Sequence, residues 1–159
     1  MKKTSVGKEQ AIQSIRHFCA YQERAQQEVR DKLYELGMSK PEVEEILSDL
    51  ISENFLNEER FATSFASGHF RIKGWGKLKI NHALYQKRVS AFNIKKALQS
   101  IDKNDYEAKL VDLAAKKWNT LKREPLPSRK AKTFAFLHQR GFEPALIQPV
   151  VQKLNKTNS

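Results

Sequence analysis

Four histidines (His17, His69, His82 and His138) and one cysteine (Cys19) are the side chains of this 159-residue chain best suited to bind a transition metal or relay a proton. Such chemistry needs ligands or acid–base partners at set intervals, and none of the five stands in such a motif with another or with a carboxylate. The acidic pairs Glu44-Glu45 and Glu58-Glu59 are adjacent in sequence. A helix turns such neighbours to different sides, so they read as solvated surface. Gly74-x-Gly76 lacks the third glycine of a dinucleotide loop and follows no strand, and no Walker loop occurs. The expectation is a protein with no catalytic residue, no cofactor and no metal.

A different chemistry is written at two helix starts. A helix N-terminus carries partial positive charge and normally attracts acidic residues. The helix after Gly76 opens instead with Lys77 and Lys79, and the one after Ser128 with Arg129, Lys130 and Lys132. Free backbone N–H groups beside such cations make a phosphate or carboxylate site. Cations folded outward into solvent are the other reading, and the two stand level. Further cations cluster at Arg71 and Lys73, Lys87-Arg88, Lys95-Lys96, Lys116-Lys117 and Lys122-Arg123. Trp75, between two glycines, either stacks on a base, fills a pocket on a protein partner or anchors a buried corner.

The charge is unevenly spread. Residues 1–70 hold 9 Lys+Arg against 12 Asp+Glu, a net of −3, whereas residues 71–159 hold 20 against 6, a net of +14. That excess points to an anionic partner, either nucleic acid or an acidic protein groove. The start, Met1-Lys2-Lys3, is basic, but no apolar stretch follows, so no secretory signal is read there. No apolar run approaches the ~20 residues of a membrane span. A single cysteine forms no internal disulfide. A cytoplasmic protein with no membrane contact is expected.

Helices position these residues. Apolar side chains recur three and four apart, and no period-two pattern appears. One pattern is written three times: Val29, Leu33, Gly37-Met38, Val43, Ile46-Leu47, Leu50; then Ile80, Leu84, Arg88-Val89, Ile94, Ala97-Leu98, Ile101; then Thr133, Leu137, Gly141-Phe142, Ile147, Val150-Val151, Leu154. The copies are offset by 51 and then 53 residues, which marks a repeat. Each repeat reads as a leading helix followed by the two helices that carry the pattern. The predicted fold is all-α: three tandem three-helix repeats, 8–54, 55–103 and 104–155, forming an elongated, curved helical array.

Local signals set helix boundaries. The spacing predicts helices over 8–21, 25–36, 77–86 and 92–100. Ser39 and Glu42 form a capping box, Asn57 caps the leading helix of the second repeat, and Pro144 opens the final helix. Asp105 and Ser128 are expected caps in the third repeat, and residues 119–127 read as a linker. Pro149 kinks or shortens the last helix. Leu33, Gly37, Val43 and Ile46 also have helix-turn-helix spacing. The second helix of that motif is acidic in the first repeat (Glu42, Glu44, Glu45, Asp49) and holds Pro149 in the third. Only the second repeat, with Lys95 and Lys96, suits a phosphate-lined groove.

The run Phe55-Leu56-Asn57-Glu58-Glu59-Arg60-Phe61-Ala62, then Lys73-Gly74-Trp75-Gly76-Lys77-Leu78-Lys79-Ile80, then Leu84, resembles the central signature of the RecX family of recombinase regulators. Glu28-Val29 through Lys32-Leu33, with Gly37, is similar to the family's first unit. Lys132 through Phe136-Leu137, with Arg140-Gly141-Phe142, is similar to its last. The resemblance spans about residues 10–154 and implies three tandem three-helix units without catalytic activity. It implies binding to the RecA recombinase filament on single-stranded DNA, lying along its groove and limiting its growth and activities, and in some members direct DNA binding. Three departures stand out. Ala25 replaces a capping serine, Arg88 replaces a turn glycine so that the turn before Val89 is expected to differ, and Pro149 is unusual.

The expectation is a monomer that docks on a RecA filament, with single-stranded DNA as a further contact, through Arg71, Lys73, Trp75, Lys77, Lys79, Lys87, Lys95, Lys96, Arg129, Lys130 and Lys132. The alternatives are a direct DNA-binding protein built on helix-turn-helix-like basic units and an adaptor for another acidic protein.

Overall fold

Each copy of the repeated pattern folds as a helix, a left-handed turn and a second helix. In the computed structural model, which describes residues 6–157, Gly37, Arg88 and Gly141 have φ of 90°, 62° and 99°. The residue after each donates its N–H back to the same apolar position: Met38 to Leu33 (3.1 Å), Val89 to Leu84 (3.2 Å), Phe142 to Leu137 (3.2 Å). This is the Schellman closure, and its apolar pair is buried in all three copies. The turn at Arg88 therefore does not differ from the other two, contrary to expectation. The arginine adopts the glycine conformation because the closure and the Leu84–Val89 pair require it.

Among the described residues there are nine helices and no strand: α1 Lys8–Tyr21, α2 Gln26–Glu35, α3 Lys40–Ser52, α4 Glu58–Arg71, α5 Lys77–Gln86, α6 Ala91–Gln99, α7 Lys103–Thr120, α8 Leu126–Gln139 and α9 Pro144–Thr157. The basic start Met1-Lys2-Lys3 lies outside the described residues. The chain divides into two compact units. The first ends at Ser64 and takes in Leu84–Lys96; the second holds Phe65–Ala83 and the chain from Ala97 onward. Helices α4, α5 and α6 each contribute residues to both.

The first unit is built on Ala11, Ile15, Val29, Leu33, Val43, Ile46, Leu47 and Leu50, with Cys19 filling a core position. Each fully buried Leu or Ile contributes about 1.5–3 kcal/mol. The second unit buries Tyr106, Leu110, Trp118, Leu137, Phe142 and Ile147. Thr133 stands where the other copies have Val29 and Ile80; it is fully buried, and its hydroxyl donates to the Arg129 carbonyl (2.8 Å).

The Ser39–Glu42 box forms, and Asn57 accepts from the Arg60 N–H (2.8 Å). Ala25 offers no side-chain acceptor, so only the returning half of a box forms there, Ala25 N–H to Glu28 (3.2 Å). Three local expectations are corrected. Asp102, not Asp105, caps α7, accepting from the Asp105 N–H (2.9 Å). α8 starts at Leu126 rather than after Ser128, whose hydroxyl instead donates to Glu124 (3.0 Å). Residues 119–127 are not a linker, because α7 runs to Thr120 and α8 begins at Leu126 within one unit. Pro149 does not shorten α9, which continues to Thr157. The proline leaves the Ala145 carbonyl without its helical donor.

The acidic pairs are not simply solvated. Glu45 pairs with Lys8 (3.2 Å) and Glu44 with Arg30 (3.1 Å). Glu59 pairs with Lys96 (2.9 Å), and Glu58 accepts from the Ser90 N–H (2.8 Å) and the Asn93 amide (3.0 Å). Lys8–Glu45 and Glu59–Lys96 are the same pair in consecutive repeats, 51 residues on, with the charges exchanged. In the third repeat the corresponding positions are Asp112 and Pro149, and Asp112 pairs within its own helix with Lys116 (3.0 Å).

Candidate functional site

The expected docking residues separate into three places. Arg71, Lys73, Trp75, Lys77 and Lys79 gather at the corner between α4 and α5, in the second unit. Arg129, Lys130 and Lys132 lie near the start of α8 in the same unit. Lys87, Lys95 and Lys96 belong to the first unit. Along α8, ten residues separate Lys130 from Arg140, which sits at the corner. At 1.5 Å per residue that is about 15 Å, so the start of α8 is not part of the corner.

Tight backbone contact builds the corner. The N–H of Gly76 donates to the Arg140 carbonyl (2.7 Å), that of Lys77 to the Tyr106 hydroxyl (2.9 Å) and that of Leu78 to the Gly141 carbonyl (2.9 Å). The Tyr106 hydroxyl in turn donates to Glu143. Burial, and then that bond to Glu143, push the phenol well above its ordinary pKa, so it stays neutral and serves as a fixed polar bridge. Three of the N–H groups that would make the α5 start an anion site are thus already taken. That arrangement leaves little backbone for a phosphate cradle at this start and leaves Lys77 and Lys79 to present their charge through their side chains.

The glycines permit this approach. A Cβ on Gly76 would lie 2.4 Å from the Gly141 carbonyl group, and one on Gly141 would lie 2.4 Å from Lys79 Cβ. Two side chains beyond the expected set hold the corner's outer carbonyls: Lys109 Nζ donates to Arg71 (3.1 Å) and Arg140 Nη1 to Lys73 (2.7 Å).

Trp75 is half-buried, packed on His69 (4.6 Å between centroids) with Phe65 edge-on (6.4 Å). The ammonium groups of Lys79 (4.6 Å) and Lys73 (5.6 Å) lie over its ring. Two cations stacked on an indole are held at the surface, with no ion-pair partner among the described residues. Lys77 Nζ lies over the Tyr106 ring (4.9 Å), and Arg71 Nε donates to the Ser67 hydroxyl (3.2 Å).

The remaining candidates differ in charge balance. Lys87 pairs with Glu28 (3.6 Å), Lys96 with Glu59 (2.9 Å) and Lys132 with Glu124 (2.5 Å). Arg129 stacks on Trp118 (4.0 Å) and donates to its carbonyl (3.1 Å). Lys130 flanks a groove of about 500 Å³ between α8 and α9, with Leu126, Phe134 and Val151. Lys95 is exposed, with no ion-pair partner among the described residues.

Comparison with known proteins places this geometry. Models of the first, second and third three-helix domains of RecX match residues 11–50, 57–98 and 104–151. A "Regulatory protein RecX" of Prosthecochloris aestuarii is 31% identical over 86% of this chain and 88% of its own length. The chain belongs to the RecX family. A Clostridium perfringens RecX is also 31% identical, over 82% of the chain, and an Oceanobacillus iheyensis one is 26% identical over 89%. The chain spans only 62% and 52% of those two relatives' lengths. The crystal structure of RecX from Lactobacillus salivarius has a TM-score of 0.85 at 24% identity, covering 93% of this chain and 96% of that one, a likeness of fold.

The second-domain match contains the whole α4–α5 corner, and the third-domain match contains Tyr106, Lys109, Arg140 and Glu143, which hold it. Lys109 was not legible as part of the site, because an isolated lysine in a helix carries no signal of what its ammonium reaches. Arg140 stood within a quoted motif, Arg140-Gly141-Phe142, but its partner lies 67 residues away. Among the described residues, no cluster of three potential metal ligands occurs, and no helix is long and apolar enough to cross a membrane.

Proposed function

We propose that this chain is a regulatory, non-enzymatic protein that binds RecA recombinase filaments on single-stranded DNA and limits their growth and activities, thereby modulating recombination and DNA repair. It acts in the cytoplasm as a monomer. The observation that carries the reading is the α4–α5 corner: Lys73 and Lys79 over Trp75, with Arg71 at the end of α4, none with an ion-pair partner among the described residues, on a backbone fixed by hydrogen bonds. Such a surface is pre-organised for an anionic macromolecule. Membership of the RecX family supports a regulatory role. Three units, 8–54, 55–103 and 104–155, would each make a modest contact with a repeating filament, and linkage raises the total affinity.

The test is a chain carrying Lys73→Glu, Lys79→Glu and Lys95→Glu, assayed for inhibition of DNA-dependent ATP hydrolysis by the host's RecA. Loss of inhibition is expected. Inhibition equal to wild type means that these cations are not the docking face.

A second reading, direct DNA binding, is favoured by Tyr85 and Phe92, 71% and 70% exposed, which flank Lys87 and Arg88 in sequence. Exposed rings among cations suit base stacking. This reading requires tight, steeply salt-dependent binding to DNA without any recombinase.

A further inference from the structure

We propose that Ile72 is the anchor of a protein-docking tip, a side chain that enters an apolar pocket rimmed by carboxylates on the partner. The inference rests on the reading above, and the partner is the protein surface of the filament rather than its nucleic acid. Ile72 is 84% exposed, more than any other large apolar side chain among the described residues. It stands between Arg71 and Lys73, in a segment, 65–83, that holds four Lys+Arg and no Asp or Glu.

A lone exposed isoleucine is by itself ordinary. This one sits on a turn whose backbone is held on both sides. Ile72 N–H donates to Gly68 (2.9 Å), Gly74 to Phe70 (3.1 Å) and Trp75 to His69 (3.1 Å). The carbonyls of Arg71 and Lys73 accept from Lys109 and Arg140. The tip is therefore ordered before it meets a partner, which removes the entropic cost that a flexible loop would bring to binding. Hot spots are anchors that become fully desolvated in a pocket, ringed by contacts that exclude water. Phosphates would be met by Arg71 and Lys73 alone and would leave the isoleucine in water. The cationic rim selects a pocket edged by Asp and Glu.

The test compares the full-length chain with its Ile72→Ala and Ile72→Lys variants. Binding is measured to the host's RecA filament on a single-stranded oligonucleotide, and to the oligonucleotide alone. Ile72→Ala is expected to weaken filament binding about ten-fold, and Ile72→Lys at least as much although it adds a cation. Neither should weaken binding to the bare oligonucleotide. Melting temperatures within about a degree of wild type show that the fold is kept. Wild-type filament affinity in Ile72→Ala, or tighter filament binding by Ile72→Lys, overturns the anchor, the latter in favour of phosphate contact. A wild-type chain that does not bind the filament overturns the functional reading itself, and the anchor's partner with it.

Discussion

The N–H of Gly76 donates to the carbonyl of Arg140 across 2.7 Å, joining two turns 64 residues apart in sequence. The following N–H groups, of Lys77 and Leu78, find Tyr106 and Gly141. The start of α5 is thereby capped by the third repeat rather than by its own sequence. The same contacts fix Trp75 and its two lysines in place, so the proposed docking corner depends on Tyr106, Arg140 and Gly141 of the third repeat.

Gly76→Ala tests that dependence. The added Cβ would meet backbone 2.4 Å away, and backbone cannot turn aside as a flexible side chain can. The variant is expected to lose about 3 kcal/mol or more in denaturant unfolding. Its Trp75 emission should shift as the corner opens. Unchanged stability would mean that the turns do not meet in solution.

Tyr106→Phe keeps the ring and removes the bridge. The Lys77 N–H loses its acceptor and the half-buried Glu143 its donor. A loss of about 1–3 kcal/mol is expected, with faster amide exchange at Lys77. Thermal unfolding and exchange by mass spectrometry would show both.

Arg88→Gly works in the opposite direction. Arg88 has φ of 62°, where a side chain costs about 1–2 kcal/mol. Glycine adopts that conformation freely, as it does at Gly37 and Gly141. The variant gives up a 3.3 Å bond to Gln27 and gains backbone entropy when unfolded, so the expected net gain is about 0.5–1 kcal/mol. A lower melting temperature would show that the Arg88 side chain outweighs its backbone strain.

Glu58 makes stability depend on pH. Its burial alone would raise the pKa, but hydrogen bonds from the Ser90 N–H, the Asn93 amide and the Ser90 hydroxyl outweigh it and leave the carboxyl below its ordinary 4.5. A group whose folded pKa is lowered binds fewer protons when folded. Its stabilisation is complete above the unfolded value and is lost as pH falls from there through the folded one. Unfolding midpoints measured below neutral pH should therefore fall more steeply for wild type than for Glu58→Gln in that acidic window. Parallel curves would remove Glu58 from the account.

Much of the helical layout was legible because its causes are local. The bounds of α1 and α5, the Ser39–Glu42 box and the Asn57 cap follow from side chains acting within three or four residues. Local rules also failed at α7, where Asp105 was expected to cap and Asp102, three residues earlier, does so. Lys109 and Arg140 stood outside the expected docking cations, and the surroundings of the expected ones were not legible. Lys96, Lys132 and Lys79 look alike in sequence. In the fold the first two face Glu59 and Glu124, while the third lies over Trp75.

The thrice-written apolar pattern determined the all-α repeat, because which helix face is buried follows from residue type and spacing; at Arg88 packing of the Leu84–Val89 pair overrode residue type. Tertiary structure decided which cations remain unneutralised, why Gly76 and Gly141 must lack side chains, and that the start of α5 is already capped. Each of these depends on a partner tens of residues away, and Coulombic and steric terms at 2–5 Å are decided only once the chain has brought the partners together.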